Sequence, residues 1–251
     1  MIPNPIHKVL STLCTHEVRH LLMGGQACVF YGAAEFSRDC DIVIVCDEQN
    51  LARLRAALDE LQAHTIAVPP FDAKHLERGH AVHFRCQAPD AEGMRIDVMA
   101  RLRGVASFEV LWSRRTTIED ATGVRFELMS LADLVAAKKT QRDKDWPMLR
   151  RLVEAHFAQH EQSPTDDHVR FWLRESRTRE MLLDVSARYP DVAKAEAARR
   201  PLLMHAIERD RGQLESALAE EQRREHDADR HYWKPLQQEL EQMRHRQSSG
   251  E

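Results

Sequence analysis

Two aspartates one residue apart open an apolar run in Ser37-Arg38-Asp39-Cys40-Asp41-Ile42-Val43-Ile44-Val45. In a strand, residues i and i+2 face the same side. Asp39 and Asp41 therefore project together from the start of a segment whose remainder is buried. Two like charges at the margin of a core are unfavourable without something positive between them. A divalent cation is one solution, and hard cations take oxygen ligands. A solvated turn is the plain alternative for the same pair.

The residues upstream favour the first reading. Leu21-Leu22-Met23-Gly24-Gly25 reads as an apolar strand ending in a tight turn, and Gln26 to Gly32 as a short helix that stops at Gly32. A glycine pair between strand and helix lets the backbone approach a ligand and leaves N–H groups open to an anion. A third acid lies in Met94-Arg95-Ile96-Asp97-Val98-Met99. Ile96 and Val98 face the core, which leaves Asp97 on the other face. On a strand beside Asp41 it completes a three-carboxylate cluster; on an edge strand it would merely face water.

Gly24-Gly25, thirteen residues, then Asp39-Cys40-Asp41-Ile42 resembles the signature of the polymerase-β-like nucleotidyltransferase superfamily. The likeness covers roughly the first 150 residues and is strongest to minimal bacterial members, including the abortive-infection and toxin–antitoxin branch. It implies an α/β (α+β) fold with a mixed sheet and flanking helices. It also implies NMP transfer from an NTP such as ATP to an acceptor that is RNA, a protein or a small molecule. Asp39, Asp41 and Asp97 would be the catalytic, metal-binding acids for two Mg2+ (or Mn2+) ions. Gly24, Gly25 and Ser37 would hold the triphosphate. Related enzymes carry a Lys-rich helix after the core, which implies a nucleotide-binding role for Lys138, Lys139, Arg142 and Lys144. Glu35 stands where members often carry Arg. That departure sustains a second reading, a catalytically weak relative that binds nucleotide or a protein partner.

His16-Glu17-Val18-Arg19-His20 matches the His-Glu-x-x-His zinc pattern. Gly24-Gly25 would break such a helix one turn later, and Arg19 puts a cation between the ligands. The end of a first helix running into strand one is the simpler expectation. His75, His80 and His83 have no recognised metal spacing and read as exposed loop histidines. The five cysteines, Cys14, Cys28, Cys40, Cys46 and Cys86, lack paired metal spacing. Reduced, buried thiols in a cytoplasmic protein account for them.

With 251 residues, 43% hydrophobic and 30% charged, the chain can build a sizeable core. A net charge of −4 argues against a global basic field for nucleic acid. No apolar run approaches ~20 residues and no signal peptide is visible, so no membrane association is expected. Helices are expected over Pro5 to His16 and Gln49 to Gln62, and strands over Asp41 to Val45, Ala81 to Cys86, Thr116 to Ile118 and Val124 to Leu128. Residues His64 to Arg78 read as irregular. Ser130 and Asp133 form a capping-box-like start to a helix that carries Lys138 to Lys144.

The organisation is read as a core over 1–128, a basic helical extension over 129–160 and an all-helical region over 161–251. That last region has short helices broken at Pro190 and Pro201 and a long charged helix from about Arg209 to Arg246. Pro235 kinks it or starts another. Its mixed charge suits a solvated face or a self-associating, partner-binding arm. Disorder is expected after Arg246.

Overall fold

The structure is a computed structural model that describes residues 4–121 and 123–249. Two compact units partition the chain: Met1–Ala137 with Tyr232–Glu251, and Lys138–His231. The first is mixed α/β and the second is helical.

The first unit holds a seven-stranded mixed sheet in the order β3-β4-β5-β2-β1-β7-β6. The strands are β1 (His20–Met23), β2 (Asp39–Ile44), β3 (His64–Thr65), β4 (Val82–Arg85), β5 (Arg95–Met99), β6 (Thr116–Glu119) and β7 (Arg125–Leu128). β1, buried at every residue, sits inside the sheet and runs antiparallel to β2 and parallel to β7. β2 pairs with β5 in parallel. In both, burial alternates as the sequence pattern requires: Cys40, Ile42, Ile96 and Val98 are fully buried, while Asp39, Asp41, Arg95 and Asp97 are half-buried on the other face.

The helices of this unit are α1 (Asn4–Thr15), α2 (Gly24–Phe30), α3 (Glu48–Glu60), α4 (Ala73–Arg78), α5 (Phe108–Ser113) and α6 (Leu131–Ala137). The Asp47 side chain caps α3 by accepting the Asn50 N–H at 2.8 Å. α3 buries Leu51, Leu54 and Leu58 at helical spacing. Ser130 opens α6 as expected: its hydroxyl accepts the Asp133 N–H and donates to the Asp133 carboxylate.

Several expectations are corrected. The segment 64–78 contains β3 and α4, the latter capped by Asp72. α5 had no counterpart in the sequence reading. α1 ends at Thr15, Glu17 takes φ 51°, and His20 already lies on β1. The His-Glu-x-x-His pattern therefore never forms one helical face. His16 Nε2 pairs with Glu60 at 2.9 Å, whereas His20 Nδ1 bonds the Val18 carbonyl. The supposedly exposed histidines are not exposed: His80 is buried against Glu239 at 2.8 Å, and His83 sits on β4. Thr122 in the turn expected at 121–123 lies outside the described residues.

The second unit begins where a basic helix was expected. α6 stops at Ala137, and residues 138–144 form a turn. The cause is Asp145, buried at the start of α7 (Asp145–His160). Its carboxylate receives Lys138 Nζ at 3.3 Å, the Thr140 hydroxyl at 2.6 Å and Arg142 Nε at 2.7 Å. Three donors drawn to one acid curl the backbone out of a helix. Then follow α8 (Asp166–Glu175), α9 (Arg179–Arg188), α10 (Pro190–Ala197) and α11 (Leu203–Ile207). The 39-residue α12 (Arg211–Ser249) carries Pro235 without interruption and passes Arg246. Residues 250 and 251 lie outside the description.

Candidate active site

Strand register brings the predicted acids together. Asp41 on β2 is the direct partner of Asp97 on β5, and Asp39 is the partner of Arg95. On the other side of β2, Asp41 is opposite Met23, the last residue of β1. The chain turns there into α2, which starts on Gly24 itself, two residues earlier than expected.

The glycines are fixed by what they touch. Gly24 has φ 66°, and a Cβ there would lie 1.9 Å from Asp41 Oδ2 and 2.6 Å from Asp41 Cβ. A Cβ on Gly25 would lie 2.7 Å from Ser37 Oγ. The Gly24-Gly25 backbone thus lies directly over the Asp41 carboxylate and the Ser37 hydroxyl, and the Gly25 N–H donates to Asp41 Oδ2 at 3.4 Å. Ser37 in turn donates to the Asp39 carbonyl at 3.0 Å, which holds the hydroxyl at the head of β2. Only a residue without a side chain permits this approach.

Asp97 has partners that the sequence reading missed. Arg95 clamps it through two bonds, Nε to Oδ1 at 2.6 Å and Nη2 to Oδ2 at 2.9 Å. His83, opposite Asp97 on β4, shares Oδ1 at 2.9 Å. Burial on its own would raise the Asp97 pKa. The hydrogen bonds from His83 and Arg95 outweigh it and hold the carboxyl below its ordinary range. Arg95 is correspondingly raised by its bond to Asp97. Period-two spacing carried the signal: Arg95 stands two residues before Asp97 and so shares its face. Cys40, on the buried face, is pushed up by desolvation and by the nearby acids, which leaves it a neutral thiol. No disulfide joins the five cysteines; Cys28, Cys40 and Cys86 are buried, whereas Cys14 and Cys46 are half-buried rather than buried as expected.

The donor set of Asp39, Asp41 and Asp97 fits a hard divalent cation, since it is all carboxylate oxygen on one face of two adjacent strands. Yet among the described residues the group of three or more metal-binding side chains with ligand atoms within 4.8 Å of one another is His156, His160 and His168. The three acids share a face of the sheet but are not among the groups that close to that range.

Lys138, Lys139, Arg142 and Lys144 belong to the other unit. Lys138 and Arg142 meet Asp145, and Lys139 meets Glu175 at 2.8 Å. Lys144 is exposed before α7. Of the lysine pair, Lys138 is the buried one. Glu35 is exposed. No helix of the described residues is long and apolar enough to cross a membrane. No protein family model matches the chain, and no curated protein matches it.

Proposed function

We propose that the face of β2 and β5 is a metal-dependent nucleotidyltransferase site that moves NMP from an NTP to an acceptor hydroxyl or phosphate on RNA, protein or a small molecule. One observation carries the reading: Asp41 and Asp97 are in-register partners on parallel strands, with Gly24 seated against Asp41. In the reaction an acceptor oxygen bonds to the α-phosphorus as the bond to the α–β bridging oxygen breaks. Pyrophosphate leaves with the electron pair, and the acceptor's proton passes to water. Asp39, Asp41 and Asp97 would hold Mg2+ or Mn2+, which supplies charge to the triphosphate and the attacking oxygen. Ser37 and the glycine backbone would position the phosphates, with Gly25 held close to Asp41 by its own N–H.

Incubation with α-phosphate-labelled NTPs, Mg2+ or Mn2+ and candidate acceptors tests this. Asp41→Ala should lower transfer by about 10²–10³-fold, the range for a lost electrostatic contact at a reacting centre. Equal transfer by the variant overturns the reading. A second reading has its own support: Arg95 occupies Asp97 as a built-in counter-charge, which suits a protein that binds nucleotide or a partner without turnover. Thermal stabilisation by nucleotide, with no transfer to any acceptor, selects it.

A further inference from the structure

We propose that His156, His160 and His168 form a site for one divalent transition-metal ion of the zinc class, separate from the carboxylate face. His156 and His160 lie one turn apart on α7, so both imidazoles share a helix face. His168 lies in the first turn of α8 and is fixed by a reciprocal cap: its N–H donates to Thr165 Oγ at 3.2 Å, and the Thr165 N–H donates to its Nδ1 at 3.4 Å. One ligand atom from each ring lies within 4.8 Å of the others. The ring centroids are 4.5 Å apart for His156–His160, 4.4 Å for His160–His168 and 5.0 Å for His156–His168. All three are half-buried, which leaves water a way to the remaining coordination positions.

Nitrogen ligands suit Zn2+, Co2+ and Ni2+ rather than the Mg2+ that carboxylates favour. Tetrahedral zinc holds nitrogens at about 2.0–2.1 Å, so they close to about 3.3 Å from one another. Rotation about side-chain torsions supplies that contraction. Metal binding needs the neutral rings, so the site should lose its ion as the histidines protonate.

One contact opposes the ion. The Trp172 indole N–H donates to His156 Nδ1 at 2.9 Å. A ring that accepts at Nδ1 carries its proton on Nε2. Coordination through Nε2 moves that proton to Nδ1, where it faces the indole N–H, so the Trp172 bond must break. Metal and indole therefore compete for His156.

The test is titration of the 251-residue chain with Co2+ in excess Mg2+, followed by the visible absorption of the bound ion and by displacement with Zn2+. One site is expected, displaced stoichiometrically by Zn2+. His160→Gln should weaken it at least tenfold while circular dichroism and the melting temperature hold, since that side chain is no part of the α8 cap; His156→Gln should weaken it as much, with any lost Trp172 bond read separately in the metal-free melt. Trp172→Phe should tighten it severalfold, and Asp41→Asn should leave it intact. Unchanged Co2+ binding in both histidine variants overturns the proposal, as does a wild-type chain that takes up none at micromolar protein and millimolar Co2+. A signal lost in Asp41→Asn also overturns it, since the ion would then belong to the carboxylate face.

Discussion

Gly24→Ala isolates the closest backbone approach in the candidate site. The new Cβ would stand 1.9 Å from Asp41 Oδ2, 2.5 Å from Cγ and 2.6 Å from Cβ. The carboxylate oxygen can rotate away, but Asp41 Cβ is fixed by the β2 backbone, so rotation alone does not relieve the overlap. A φ of 66° adds a left-handed penalty of about 1–2 kcal/mol for a residue with a Cβ. Forced displacement in a packed site typically adds about 1–3 kcal/mol. The substitution should therefore cost about 2–5 kcal/mol. In an Asp41→Gly background the overlap with Asp41 disappears and the penalty should fall toward the backbone contribution of about 1–2 kcal/mol. Urea unfolding of all four chains, compared at constant m, measures the cycle. Penalties that agree within about 0.5 kcal/mol in the two backgrounds would mean that the two sites are independent. The geometry of the glycine turn against β2 would then be wrong.

Two further outcomes follow from named contacts. Arg95→Gln should destabilise the protein by about 1.5–3 kcal/mol, the range for a hydrogen bond to a charged group. On the proposed function, saturating Mn2+ should recover part of that loss in thermal melts, because a bound cation replaces the guanidinium; an Mn2+-independent deficit would refute this. Glu60 is held down to about 2 by hydrogen bonds from Lys8 and His16 despite its exposure. A depressed carboxyl stabilises the fold above its free pKa of 4.5 and loses that contribution as pH falls toward 2. Screening limits the effect to roughly 1 kcal/mol or less, and Glu60→Gln should flatten the acid limb of stability by that amount; an unchanged limb would count against the assignment.

Local chemistry explains which parts were legible in the sequence. Alternation at 39–44 and 94–99 announces two strands with an acidic face, because burial and period two both act within a few residues. The parallel register that sets Asp41 beside Asp97 is a long-range pairing, and no short segment encodes it. The same distance hid the burial of His80, whose partner Glu239 is 159 residues away. The turn at the lysine run has a different cause. Helix propensity favours Lys138 to Lys144, but Asp145 outbids it by collecting three side-chain donors at once. α5 and α11, of six and five residues, are too short for periodicity to reveal.

The Arg95 clamp also explains how such an acidic face folds at all. Two carboxylates in direct cross-strand register repel each other, and like charges opposite one another destabilise a sheet. Here each has a different relief. Asp41 takes an N–H from the glycine turn, while Asp97 takes a bidentate guanidinium and an imidazole. The face is thereby stable before any ligand arrives. On the proposed function a cation must draw Asp97 out of that clamp rather than simply strip water from it. Its affinity is reduced by the strength of the Arg95–Asp97 pair, so loosening the clamp should cost the ligand-free fold and strengthen metal binding together.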